Sequence, residues 1–118
     1  MPMTFSERQV GDVTVLDVDG RITIVDGADA LRDVFERLID QGASKLVLNC
    51  AKIPYLDTSG IRTIVRAYTS VSGKGGSLKL AQLTPRVEQV LRVTRLLTVL
   101  ETFEDEAAAV SSFKNAGV

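Results

Sequence analysis

Tyr55-Leu56-Asp57-Thr58-Ser59-Gly60-Ile61 groups an acid, two hydroxyls and a glycine where an apolar strand-like run gives way to a helical pattern. Asp, Thr and Ser are the side chains that best accept the exposed N–H groups at a helix N-terminus, so capping alone accounts for any one of them. It accounts less well for three in a row, followed by Gly60 inside the first turn, where Ala would favour the helix by about 1 kcal/mol. A glycine there lets another backbone or protein surface come close. From residue types alone, a helix cap and a functional hydroxyl both remain open.

The other groups that could carry chemistry read as structure. Gly73-Lys74-Gly75-Gly76-Ser77 superficially suggests phosphate binding, but a phosphate loop leads from a strand into a helix with Gly, four residues, then Gly-Lys-Ser/Thr. Here the order is helix to strand, so a helix end plus a tight turn is the better reading. Asp17/Asp19 and Glu104/Asp105/Glu106 sit at a strand end and at a helix start, where solvated acids are at home. The single Cys50 lies in the apolar run Leu46-Val47-Leu48-Asn49-Cys50 and reads as a buried, inert thiol. The chain has no His, which removes a His-dependent triad, a His general base and His-ligated zinc. No residue set asks for a cofactor or a metal, and enzyme chemistry has little to stand on.

The elements that position these residues alternate in type. Thr4 to Val10 and Val13 to Val18 read as two strands turned by Gly11-Asp12. Asp26 to Gln41 reads as a helix, with Leu31, Val34, Phe35, Leu38 and Ile39 on one face and Gly42 just past its end. Lys45 to Cys50 suits a central parallel strand covered on both faces. A helix over Thr58 to Ser72 follows, then a strand over Ser77 to Ala81, with Leu78 and Leu80 on one face. Thr84-Pro85 opens a helix as N-cap and first helical residue, with Val87, Val90 and Leu91 inward. A last strand is expected over Thr98 to Thr102 and a last helix over Asp105 to Lys114. The order β-β-α-β-α-β-α-β-α predicts an α/β fold: a mostly parallel mixed sheet with an N-terminal hairpin and about four packed helices.

At 118 residues this is one domain, 1–118, with its core over about 4–114. Fourteen Lys and Arg against fifteen Asp and Glu leave a net charge of −1, which lacks the basic footprint of a nucleic-acid binder. The apolar runs fall far short of the ~20 residues that span a membrane, and the N-terminal residues lack the apolar centre of a signal peptide. These features predict a soluble cytoplasmic domain.

Leu56-Asp57-Thr58-Ser59-Gly60-Ile61 resembles the Asp-Ser-Ser/Thr-Gly-Leu/Ile signature of STAS domains, in particular the bacterial anti-sigma factor antagonists. The resemblance runs from about residue 4 to residue 114. It takes in Gly20, the Leu46-Val47-Leu48-Asn49 strand, the Gly75-Gly76-Ser77-Leu78-Lys79-Leu80 turn and strand, and Thr84-Pro85-Arg86-Val87. It implies a single STAS domain acting as a partner switch. The unmodified antagonist binds an anti-sigma factor that is a serine/threonine kinase and frees the sigma factor; phosphorylation ends binding, and a phosphatase resets it. Carried over by position, the phosphoacceptor is Thr58 (alternative Ser59), with Asp57 the adjacent acid. A second reading is a STAS subunit of a stress-signalling scaffold or of a lipid or anion transport complex.

This sequence departs from the pattern at three places. Thr58 stands where the best-known members hold Ser. Gly20-Arg21-Ile22-Thr23 lacks the acid that many members carry there, and Arg95 stands where a helix-ending Gly is common, so Arg95 must turn left-handed or the cap must be made otherwise.

A phosphate on Thr58 would add roughly −1.5 to −2 charge next to Asp57 and partly at the positive end of the helix, so little refolding is expected. The expected partner surface is Asp57, Thr58 and Ser59 with the stripe that continues through Arg62 and Arg66, together with the loop from Arg21 to Gly27, with Ile22, Ile24 and Val25 exposed as anchors. Ser59, one residue into the helix, is expected mainly to cap its N–H groups. The chain is expected to act as a monomer without nucleic acid and without membrane insertion.

Overall fold

In the computed structural model, which describes residues 3–115, the sheet is built from β1 (Thr4–Val10), β2 (Val13–Asp19), β3 (Lys45–Lys52), β4 (Ser77–Ala81) and β5 (Thr102–Phe103). The helices are α1 (Ala28–Asp40), α2 (Thr58–Gly73), α3 (Pro85–Val93) and α4 (Glu106–Asn115). Of the domain read over 1–118, residues 1–2 and 116–118 lie outside the described residues. The strands lie side by side in the order β1-β2-β3-β4-β5. β1 and β2 form an antiparallel hairpin, and every other neighbouring pair is parallel.

Alternation along the strands sorts side chains onto two faces. Leu16, Val18, Leu46, Leu48, Leu78 and Leu80 point to the side covered by α1, α2 and α3, where they meet Leu31, Phe35, Ile64, Val71, Val87 and Leu91. Val13, Val15, Val47 and Ala81 point the other way and pack against Ala109 and Phe113 of α4. The central strand β3 is thus apolar on both faces, as its sequence predicts. Among the described residues no helix is long and apolar enough to cross a membrane.

Several local departures have clear causes. The expected strand over 98–102 is pre-empted by a 3-10 turn at Leu96–Thr98, in which the Thr98 hydroxyl donates to the Arg95 carbonyl at 2.8 Å. Only Thr102 and Phe103 then reach the sheet, beside Leu80 and Ala81. Arg95 does adopt the left-handed conformation, with φ of 62°. Helix α1 starts at Ala28 instead of Asp26, because Gly27 is left-handed and the Asp26 N–H is held by the Thr23 hydroxyl. Thr84 precedes Pro85 as expected, but its hydroxyl donates to the Ile53 carbonyl at 2.8 Å rather than capping α3.

Two polar fastenings hold α4 that sequence patterning does not foretell. Arg8 on β1 chelates Asp17 through Nε at 2.6 Å and Nη2 at 2.9 Å and also bonds Glu106 at the start of α4; Asn49 donates to the same Glu106 at 3.0 Å. Lys79 is buried on the α4 side of β4, where its Nζ donates to Ser112 Oγ at 2.7 Å and lies 4.4 Å from the centre of the Phe113 ring. Lys79→Met keeps the aliphatic stem and should leave stability near wild type, whereas Lys79→Ala opens a cavity and should cost about 2 kcal/mol or more. Urea midpoints of the two variants measure this.

Candidate functional site

The C-terminal ends of β2 and β3 lie side by side, so the segments that leave them meet at one end of the sheet, where parallel α/β sheets place their sites. After β3, buried Ile53 and Leu56 lead the chain to Asp57, which is extended and caps α2. After β2, the loop 20–27 folds back over this junction. The Ile22 N–H donates to the Tyr55 carbonyl at 3.1 Å, and the Asp57 N–H donates to the Ile22 carbonyl at 3.2 Å.

The Asp57 carboxylate joins the two segments. Its Oδ1 accepts from the Gly60 N–H at 3.1 Å and its Oδ2 from the Ile24 N–H at 3.0 Å. Burial opposes its ionisation, but the backbone N–H groups of Ile24, Gly60 and Ser59 outweigh that and hold the carboxyl below its ordinary range. The expectation that Ser59 caps the helix is therefore corrected, since Asp57, with extended backbone, already fills that position. Ser59 is half-buried, and its carbonyl accepts the Thr63 hydroxyl at 2.9 Å.

Gly60 answers the question its position raises. A Cβ there would stand 2.4 Å from the Ile22 carbonyl oxygen and 2.9 Å from Leu56 Cβ. The backbone that comes close is the chain's own loop. Ile22 is fully buried at 0% exposure, so it is no surface anchor: its extended backbone bridges Leu56 and turns its side chain into the core. Beyond it a tight turn forms, with the Thr23 N–H on the Asp26 carbonyl at 2.6 Å. That turn lifts Ile24 and Val25 into solvent, 73% and 86% exposed.

Asp57, Thr58, Ser59, Ile24 and Val25 are thus brought together, with Thr58 exposed as the first residue of α2. Arg62 and Arg66 continue from Thr58 down the exposed side of the helix, and among the described residues neither has a carboxylate within salt-bridge distance. Tyr55, beside the junction, carries the guanidinium of Arg86 over its ring at 5.3 Å. Cys50 lies away from this surface; burial pushes its thiol up to about 12, so it stays protonated at neutral pH. Among the described residues no cluster of His, Cys, Asp and Glu is arranged to hold a metal. A separate open groove of about 470 Å³ on the α4 side of the sheet is lined by Ser6, Asp17, Asp19, Asn49 and Lys52.

Because Asp57 serves both helix and loop, Asp57→Ala should cost about 1–2 kcal/mol, while Ser59→Ala should stay within about 0.5 kcal/mol of wild type. The lowered carboxyl adds stability that is complete above the unfolded-chain value of about 3.9 and is lost as pH falls through the lower native value. Asp57→Asn should therefore flatten part of the acid-side loss of stability, read from thermal midpoints between neutral pH and pH 2.

The sequence matches the STAS domain over residues 5–109. The anti-sigma-B factor antagonist of Bacillus subtilis strain 168 is 30% identical over 96 residues, covering 80% of this chain and 84% of that protein. The crystal structure of an anti-sigma factor antagonist from Mycobacterium paratuberculosis superposes with a TM-score of 0.86 at 19% identity, covering 93% of this chain and 92% of that one. The Bacillus cell fate determinant SpoIIAA in its phosphorylated form superposes with a TM-score of 0.74 at 18% identity, covering 93% and 99%. At such identities the two superpositions speak for the fold, a five-stranded mixed sheet with an N-terminal hairpin and four helices, while the sequence match covers nearly the whole chain: it belongs to the STAS domain family.

Proposed function

We propose that this protein is an anti-sigma factor antagonist, a cytoplasmic, non-enzymatic binding module whose unphosphorylated form captures an anti-sigma serine/threonine kinase and so releases a sigma factor. Phosphorylation at Thr58 switches binding off, and a phosphatase restores it. The observation that carries this reading is an exposed hydroxyl at the first position of α2, set beside two bare apolar side chains on a loop pinned to the same helix end.

The surface suits a switch. Ile24 and Val25 offer apolar area that a partner can desolvate, and Arg62 and Arg66 offer charge along the adjoining helix. A phosphate on Thr58 adds roughly −1.5 to −2 charge in the middle of that surface. A loss of about 3 kcal/mol at such an interface lowers affinity by two orders of magnitude. The core beneath need not move, because Ile22 and Leu56 lock the loop to the sheet from below.

The test uses the kinase, ATP and purified variants, with modified residues mapped by fragmentation mass spectrometry. Thr58→Ala should take no phosphate yet bind the kinase, Thr58→Glu should lose binding, and Ser59→Ala should still be phosphorylated. Ile24→Asp should weaken binding with an almost unchanged melting temperature. Phosphate on Ser59 of the wild type would overturn the acceptor assignment. Capture of a membrane transport complex by both wild type and Thr58→Glu would overturn the antagonist reading.

A further inference from the structure

Helix α2, Thr58–Gly73, contains two arginines and no acid, so its first turn lacks the acids that helix N-termini normally favour, and its charge lies in the next two turns. Thr58, Arg62 and Arg66 are spaced four apart and share one exposed stripe. Side chains on a helix lean toward its N-terminus, so the guanidinium of Arg62 covers the turn that Thr58 begins. Nothing described competes for it. Of the acids of the neighbouring α1, Asp29 and Asp33 are each taken by Arg32 at 3.4 Å and Asp40 lies 3.9 Å from Lys74, while Glu36 lines a groove with Arg66 rather than Arg62; on the loop Arg21 lies 3.9 Å from Asp26.

The helix N-terminus itself is already occupied. Asp57 holds the Gly60 N–H at 3.1 Å and sits directly beside Thr58, so its negative charge turns a neighbouring phosphate away from the helix end. One helical turn along stands Arg62, which among the described residues has no carboxylate partner. We propose that a phosphate on Thr58 is gripped by Arg62, and that this intrahelical pair switches the surface by erasing its basic stripe rather than by reshaping it.

This inference rests on Thr58 being the modified residue, and it names how the modification is read. Two positive charges on the stripe become roughly none once a dianionic phosphate is added. A partner with an acidic patch facing Arg62 and Arg66 then loses its electrostatic match, and Arg62 is no longer available to it. An arginine suits the task because its planar fork offers paired N–H donors to phosphate oxygens.

The test places phosphothreonine at position 58 during translation, so no kinase is needed, and follows the ³¹P resonance through the second phosphate ionisation. A gripped dianion ionises earlier than a free one, whose second pKa is near 6. Arg62→Gln should raise that value by about half a unit, Arg62→Lys should recover most of the difference, and Arg66→Gln should move it less. Amide fingerprint spectra establish that each variant stays folded. An unchanged phosphate titration in folded Arg62→Gln, or a larger shift from Arg66→Gln, would overturn the pairing. Failure of a kinase to label Thr58 would instead overturn the functional reading and leave this titration result standing.

Discussion

The Asp57 carboxylate accepts N–H groups from Gly60, three residues on, and from Ile24, which is 33 residues away in sequence. That pair of bonds converts two separate excursions of the chain into one surface. Without the first bond the start of α2 loses its cap; without the second the turn carrying Ile24 and Val25 is held only by its own hydrogen bonds and by Ile22. Gly60 is a condition of the same arrangement, since any Cβ there would collide with the Ile22 carbonyl that accepts the Asp57 N–H. Acid, glycine and buried isoleucine therefore form one unit with a single geometric purpose.

A rigid junction of this kind suits the proposed switch to act by charge rather than by shape. The loop is fastened below by burial and in front by a carboxylate, and the helix end that could have attracted a new anion is filled. What remains free to respond is the exposed stripe of Thr58, Arg62 and Arg66, where no carboxylate lies within reach among the described residues. In the proposed switch, the exposed apolar side chains at the loop tip supply area, and the stripe supplies a sign that a phosphate on Thr58 would cancel. The α4 fastenings through Glu106 and Lys79 stand on the opposite side of the sheet and stabilise the scaffold without touching this surface.

Much of this could be read from the residues themselves. Strand alternation, the apolar stripe of α1, the covered central strand and the glycine turns all follow from local chemistry, and each matches the sheet that forms. The end of the chain was less legible, because Thr98 and Val99 are β-branched and look like strand, whereas a hydroxyl–carbonyl bond and the left-handed Arg95 draw them into a 3-10 turn. At the site, the Asp-Thr-Ser-Gly run marked the junction at the start of α2 but not the division of labour within it. Capping went to Asp57 because it alone reaches both Gly60 and Ile24, and Ile22 went inward because the loop runs extended against Leu56 before it turns. Tertiary contacts of that sort, like the burial of Lys79 between aromatic rings, leave no periodic trace in a sequence.

The Ile24 amide reports directly on the Asp57 junction, since it belongs to an exposed turn yet is bonded to that carboxylate. Hydrogen exchange at that amide, followed by NMR in the unmodified chain, the Thr58-phosphorylated chain and Asp57→Ala, separates a rigid junction from a flexible one. A rigid junction gives protection in the first two and exchange about tenfold or more faster in Asp57→Ala, as expected for a lost charge-assisted bond. Loss of Ile24 protection on phosphorylation would contradict it, because the loop would then be moving with the switch instead of standing still beneath it.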